Sequence, residues 1–255
     1  MMFFRTFWPN THRITMLNIA ELKAFELNGY HVIDNLLSTK LLEQTREAFD
    51  QLESYRNLID LDGFFLQIAS HSDLYSAIAS ILNSPPQLLQ FDGINRQQGQ
   101  GDQTWHADFF FYCDRPLMLN VGIYLDDLEL SNGPLYVVPK SHHFGQTPPS
   151  NSDHLSNQLS LTVSAGSAVI FDCALWHRGG GNVSDQPRRA IFPTYGHYWM
   201  KRFESWMPEP TSTRFPNADT AELRTLLGIS LEEPSAYSGY DEKLMVRKDS
   251  DGNWI

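Results

Sequence analysis

Ala168-Val169-Ile170-Phe171 is an apolar run of strand length, and it is followed closely by Leu175-Trp176-His177-Arg178-Gly179-Gly180-Gly181-Asn182. A strand-length apolar segment that stops at turn chemistry is repeated outward from this point in both directions. Leu88–Phe91, Thr104–Phe111, Leu117–Leu125, Leu135–Val138, Leu159–Val163 and Arg189–Trp199 all have it. The breaks hold Gly99–Gly101, Asn132–Gly133, Pro148–Pro149, Gly166 and Gly179–Gly181. Many short strands spaced by glycine and proline predict an all-β sandwich or barrel.

Upstream of Gln87 the period becomes helical. Asn18 and Glu21 stand three apart as a capped helix start, and Gly29 sits where a left-handed terminal residue belongs. Tyr30 to Ile33 reads as a short strand. A second helix is predicted from Ser38, with Leu41, Leu42, Thr45, Ala48, Phe49 and Leu52 in helical register. A third runs from Ser72 to about Asn83, ended by Pro85 and Pro86. Near the C-terminus Asp219, Glu222 and Gly228 frame a last helix, whose Leu223, Leu226 and Leu227 are expected to pack on the sheet. No repeat or linker divides the chain. The expectation is one domain over residues 1–255, mainly β with supporting helices. It has helical support over about 17–85, a β core over about 87–200, and a helical or irregular extension over about 201–255.

Composition narrows the partners. Charged residues are 19% of the 255, against a typical ~25%. The 19 basic and 30 acidic residues leave a net charge of −11. Nucleic acid and anionic membranes attract basic patches, so neither is expected, and a small-molecule ligand is. Cys113 and Cys173 are too few for a disulfide framework and read as buried thiols in a reducing compartment. No apolar run approaches the ~18 residues of a membrane span. Met1 to Pro9 is aromatic but lacks the pattern of a secretory leader, and Met16 is an alternative start. A cytoplasmic protein is the expectation, with its oligomeric state open.

Three features carry chemistry. His106 and Asp108, in Trp105-His106-Ala107-Asp108, stand two apart and share a face if they lie on a strand. His177 follows an apolar strand; taken by itself it is ordinarily a satisfied core histidine. Arg188 and Arg189 lie eleven and twelve residues beyond His177. Alternation lets one of the two point inward, where an arginine must find a carboxylate or phosphate. Each feature alone is weak. Together, two histidines and one carboxylate form the facial triad of non-haem Fe(II) oxygenases, with three positions left free, and an inward arginine can grip a diacid.

In these motifs the chain resembles the phytanoyl-CoA dioxygenase family of Fe(II)/2-oxoglutarate-dependent oxygenases. The matching stretches are Leu27 to Leu37, Trp105-His106-Ala107-Asp108, Leu125-Asp126-Asp127, Asn132 to His142, Gly166 to Asp172, and His177 to Asn182 with Ser184 and Arg188. They span most of residues 17–200 in the family's order. The resemblance implies a double-stranded β-helix, a cupin-like jelly roll with helices against one sheet. It implies His106, Asp108 and His177 as iron ligands and Arg188 as the anchor for 2-oxoglutarate, with Arg189 as the alternative one register off. Gln90, Asn95, Tyr112 and Asn120 are further pocket candidates.

The implied activity is a dioxygen-consuming hydroxylation of a small-molecule metabolite that releases succinate and carbon dioxide. Desaturation or epimerisation at the same centre, and a non-redox metal-binding cupin, are the alternatives. Asp108 fills the position that halogenating relatives leave small, which favours hydroxylation. The chain departs from the family at Lys140, where a glycine is usual, so a different turn geometry is expected there. It departs again at Gly122, often a tryptophan, where an enlarged pocket is expected. Coenzyme A is not expected as a substrate group, because only Arg178, Lys201 and Arg202 are at hand for its phosphates. Phe110 and Tyr112 are expected to line the pocket. His142 and His143 are expected to hold a loop, and Trp199 and Trp206 to pack.

Overall fold

The computed structural model describes residues 16–58, 63–109, 113–200 and 220–228. Helix α1 spans Ile19–Asn28 and opens on a reciprocal cap. Asn18 accepts from the backbone of Ala20 and Glu21, while the Glu21 carboxylate accepts from the Asn18 N–H at 2.7 Å. Gly29 closes it at φ 82, and a Cβ there would fall 2.6 Å from Nδ1 of His142, so both conformation and space require glycine. Strand β1 is Tyr30–Ile33, and α2 is Thr39–Asp50, capped by the Ser38 hydroxyl. Helix α3, Phe64–Ala69, was not expected; its six residues are too short to show a period. Helix α4, Ser72–Leu82, ends on Asn83 at φ 48.

The strands follow: β2 Pro86–Arg96, β3 Met118–Tyr124, β4 Leu135–Val137, β5 Leu159–Leu161, β6 Ala168–Asp172, β7 His177–Gly179 and β8 Arg188–His197. Pro86 opens β2 at the first-residue position that tolerates a missing N–H. The last helix, α5 Ala221–Leu226, is capped by Thr220 rather than by Asp219.

The strands make two antiparallel sheets, one in the order β1-β6-β3-β8-β2 and one in the order β5-β4-β7. This is the jelly roll, with the helices on one face of the larger sheet. Alternation divides that sheet. Leu119, Val121, Ile123, Ile170, Ile191 and Tyr195 are buried among helix residues such as Phe25, Phe49 and Leu74. Leu226 and Leu227 of the α5 segment join this core, as expected. Tyr124, Val169, Phe171 and Ala190 point the other way and meet Leu135 and Val137 of the smaller sheet.

The expected strand Thr104–Phe111 is not a strand in its described part. His106 makes a single antiparallel bridge to His177. The reason lies in where the backbone N–H groups go: Trp105 donates to Asn151, His106 to His177 and Phe109 to Cys173. Three partners in three places cannot make a ladder. Trp199 is not a packing residue either; it is 61% exposed and stacks on His197 with ring centroids 5.4 Å apart. Trp206, Phe110 and Tyr112 lie outside the described residues.

Lys140 sits in the left-handed region, at φ 73, a conformation that glycine adopts most readily. Gly122 does not enlarge the pocket, because Tyr124 and Phe192 occupy the space; a Cβ would meet the Tyr124 hydroxyl at 2.9 Å. Cys173 is buried and Cys113 half-buried, both free thiols. Among the described residues, no helix is long and apolar enough to cross a membrane.

Candidate metal and cosubstrate site

The loop before β3 is stitched to β7 at two points. Gln103 N–H donates to Gly179 O at 2.9 Å, and the Gly179 N–H donates back to the Gln103 amide oxygen at 2.8 Å. Three residues on, His106 and His177 exchange backbone bonds at 3.0 and 2.9 Å. This pairing sets the imidazoles side by side, with ring centroids 4.2 Å apart. Asp108, on a bend two residues later, lies between them. Its carboxylate is 4.0 Å from Nε2 of His106 and 3.7 Å from Nε2 of His177. One ligand atom from each of the three lies within 4.8 Å of the others, and no other group of this kind exists among the described residues.

The surrounding bonds orient the donors. Nδ1 of His106 lies 2.9 Å from Thr104 O, and Nδ1 of His177 lies 2.9 Å from Leu175 O. A carbonyl can only accept, so each Nδ1 donates, and each Nε2 is the nitrogen that faces Asp108. His177 is buried against Phe171. Burial lowers its pKa below the ordinary histidine value, and the His106 ring adds to this, while Asp108 opposes it. The neutral form that ligates metal is thereby favoured. Asn120 donates from its amide to Oδ2 of Asp108 at 2.9 Å, and its own oxygen is fixed by the Val121 N–H at 2.9 Å. Two imidazole nitrogens and a carboxylate converging from one side fit a facially bound iron ion.

These side chains open on a cavity of about 690 Å³ that also receives Arg188, Tyr124, Gln90 and Thr194. That volume is of the size that holds small ligands. Alternation separates the two neighbouring arginines. Arg189 points to the helical side, where Asp126 accepts from two of its nitrogens at 3.1 and 2.6 Å and Asp50 from a third at 2.8 Å. These bonds raise its pKa above the usual arginine range. Arg188 points into the cavity. It is 4% exposed, its Nε has no partner, and no carboxylate among the described residues pairs with it. Burial lowers its pKa, and its guanidinium stands 5.4 Å from the Tyr124 ring. The Tyr124 hydroxyl is pushed up to about 12 by burial.

The other candidates divide. Asn120 and Gln90 face the cavity; the Gln90 amide nitrogen donates to Asp92 at 2.6 Å. Asn95 is among the cavity's lining residues, but it pairs with Arg189 across the strands, so its side chain alternates to the opposite face from Arg188, and it donates to the Tyr55 hydroxyl at 3.3 Å. Tyr112 is among the residues not described. His142 and His143 do hold a loop, both accepted by the carbonyl of Glu26. The sequence reading missed Arg96, which also lines the cavity. A basic residue at a strand end carries no signal until the strand that pairs with it is known.

The family model for phytanoyl-CoA dioxygenase (PhyH) matches residues 54–190, more than half of the chain. The chain belongs to the phytanoyl-CoA dioxygenase family. It is thus a member of an enzyme family whose metal is Fe(II) and whose cosubstrates are 2-oxoglutarate and dioxygen. Phytanoyl-CoA dioxygenase relatives include an L-proline trans-4-hydroxylase of Streptomyces griseoviridis, 27% identical over 171 residues, 53% of this chain and 64% of that enzyme. An ectoine dioxygenase of Nocardia farcinica is 24% identical over 266 residues, 81% of this chain and 86% of that enzyme. In fold, the chain resembles HygX from Streptomyces hygroscopicus with iron bound, at a TM-score of 0.65 and 18% identity, over 74% of this chain and 90% of that one.

Proposed function

We propose that this phytanoyl-CoA dioxygenase family member hydroxylates a small-molecule metabolite, with release of succinate and carbon dioxide. The observation that carries the reading is the convergence of His106, Asp108 and His177 on one cavity with an uncompensated Arg188. A bound iron ion supplies the activation of dioxygen and the oxidation of an unreactive C–H bond.

The residues of the chain supply positioning. His106 and His177 offer their Nε2 atoms, with each Nδ1 held by a backbone carbonyl. Asn120 occupies one oxygen of Asp108, leaving the other for the metal. Arg188 takes the far carboxylate of 2-oxoglutarate through a charge-assisted fork, roughly twice as strong as a neutral hydrogen bond. The substrate meets Gln90 and Thr194. Asp92 holds the Gln90 nitrogen, so the amide oxygen is left to accept from a ligand donor. That favours a neutral or zwitterionic metabolite carrying hydroxyl or amino groups. Arg178 is buried, paired with Asp102 at 2.6 Å and stacked on Tyr136, so it is not available to coenzyme A phosphates.

The test is succinate release by the iron-loaded chain over a panel of amino acids and other small zwitterions. A substrate-dependent signal is expected and should vanish in Asp108→Ala. Full turnover in that variant would remove Asp108 from the site.

A further inference from the structure

The loop after α2 is tied by its backbone to β2, the edge strand of the larger sheet. Gly93 donates its N–H to Tyr55 O at 2.7 Å, and the Tyr55 ring stacks on Phe49 with centroids 4.8 Å apart. Asn57 turns the chain at φ 53, a left-handed conformation that asparagine tolerates, and Leu58 beyond it is fully buried. The backbone of Arg56 is therefore fixed, while 78% of its side chain is exposed. Arg56 also lines the cavity, so its guanidinium stands at the rim.

Nη1 of Arg56 donates to Oδ2 of Asp92 at 2.6 Å. The Asp92 side chain is only 13% exposed, and it accepts as well from the Asn57 N–H at 2.9 Å and from the Gln90 amide at 2.6 Å. Three of its roughly four acceptor positions are then used. The other guanidinium nitrogens of Arg56 have no partner among the described residues. Arg56 and Asp92 thus form a fixed dipole, positive at the rim and negative inside, with the Gln90 amide oxygen beside the negative end. An exposed ion pair adds little to stability, so stability alone gives no reason to hold one over a cavity. Gln90 is the direct partner of Thr194, and Thr194 of Asn120, which holds Asp108. Adjacent strands lie ~4.8 Å apart, so Gln90 is about 10 Å from Asn120 across the sheet.

We propose that the substrate is an amino-acid-type zwitterion held at this rim by its charged end. Its carboxylate takes the free side of the Arg56 fork, and its ammonium faces the Gln90 oxygen and the remaining acceptor position of Asp92. Its uncharged end reaches inward to His106, Asp108 and His177. This rests on the reading of the cavity as an iron and 2-oxoglutarate site. A sugar or polyol would leave the fork unused, and a plain carboxylate would meet Asp92 with no ammonium to offset it.

The test is calorimetry on the zinc-loaded chain, which binds without turning over, saturated with 2-oxoglutarate. The probes are the common L-amino acids, the carboxamide of each one that binds, and a set of sugars and polyols. At least one amino acid should bind, about fivefold or more tighter than its carboxamide, which keeps the ammonium and lacks the carboxylate. Arg56→Gln should bring the two within about twofold of each other, and Arg56→Glu should invert the preference in favour of the cationic carboxamide. Binding confined to sugars and polyols, no binding by any amino acid, or a preference that survives Arg56→Gln overturns the proposal. Both variants should keep the wild-type affinity for 2-oxoglutarate within about twofold, which shows that the cavity is intact. The two readings fail separately. A wild-type chain that does not bind 2-oxoglutarate defeats the site itself, whereas one that binds 2-oxoglutarate and no amino acid defeats only the role of Arg56.

Discussion

On β3, Leu119, Val121 and Ile123 face the helices, while Asn120, Gly122 and Tyr124 face the cavity. The same alternation runs through β8, where Ile191 and Tyr195 are on one side and Arg188, Phe192 and Thr194 on the other. The helix face is saturated: most of its side chains are apolar, Tyr195 donates to Ala69 O at 2.8 Å, and Arg189 is paired with Asp126 and Asp50. The cavity face holds the buried Arg188, which has no ion-pair partner among the described residues. One sheet thus separates stability from binding by residue parity, and each side should fail differently when altered.

The largest effect is expected on the cavity face. Asp108→Ala should abolish turnover and metal binding while leaving the melting temperature near that of the metal-free wild type. A collapse of the fold in circular dichroism would make Asp108 structural instead. On the helix face, Ile170→Ala should cost about 2–5 kcal/mol in urea unfolding, because Ile170 is fully buried. Its affinity for 2-oxoglutarate should barely move.

Arg188→Met inverts the pattern. It removes an uncompensated buried cation, so the ligand-free chain should gain roughly 1–4 kcal/mol, while 2-oxoglutarate binding is lost. A destabilised Arg188→Met would show that the cation is already compensated. The corresponding change at Arg189 removes a paired cation, and should destabilise without touching ligand affinity.

These contrasts show what the sequence makes legible. His106, Asp108 and His177 stand out because their residue types and spacing have few other uses in combination. Arg188 and Arg189 could be told apart only by parity, and their partners, Asp126 and Asp50, are far away in the chain. The His106 segment read as a strand because its residues alternate. Its N–H groups bond to three different segments, which local sequence does not record. Arg96 was invisible for a related reason: its meaning comes from the strand laid against it. The apolar strands and capped helices were legible because their signals lie within a few residues.

Smaller effects sit at the α1 end of the helical side. Burial pushes Asp172 up to about 6 and pulls His142 down to about 4. Between about pH 4 and 6, folded Asp172 holds a proton that the unfolded chain releases, so its contribution falls as pH rises. Folded His142 refuses a proton that the unfolded chain takes, so its contribution rises over the window from about 4 to 6.5. The two oppose each other. Asp172→Asn should therefore make the melting temperature climb more steeply across this range, and an unchanged slope would contradict the assignment. Lys140→Gly removes a left-handed backbone from a side-chain-bearing residue and should stabilise by about 1 kcal/mol. A neutral or destabilising result would mean the Lys140 side chain compensates for the turn.

The most direct measurement of the central claim is an anaerobic titration of the folded chain with Fe(II) and 2-oxoglutarate, followed by visible absorption. A metal-to-ligand charge-transfer band should grow in with 2-oxoglutarate, be missing in Asp108→Ala, and require far more ligand in Arg188→Ala. Well-folded, iron-loaded wild-type chain that shows no band at saturating 2-oxoglutarate would contradict the assignment of this cavity as an iron and 2-oxoglutarate site.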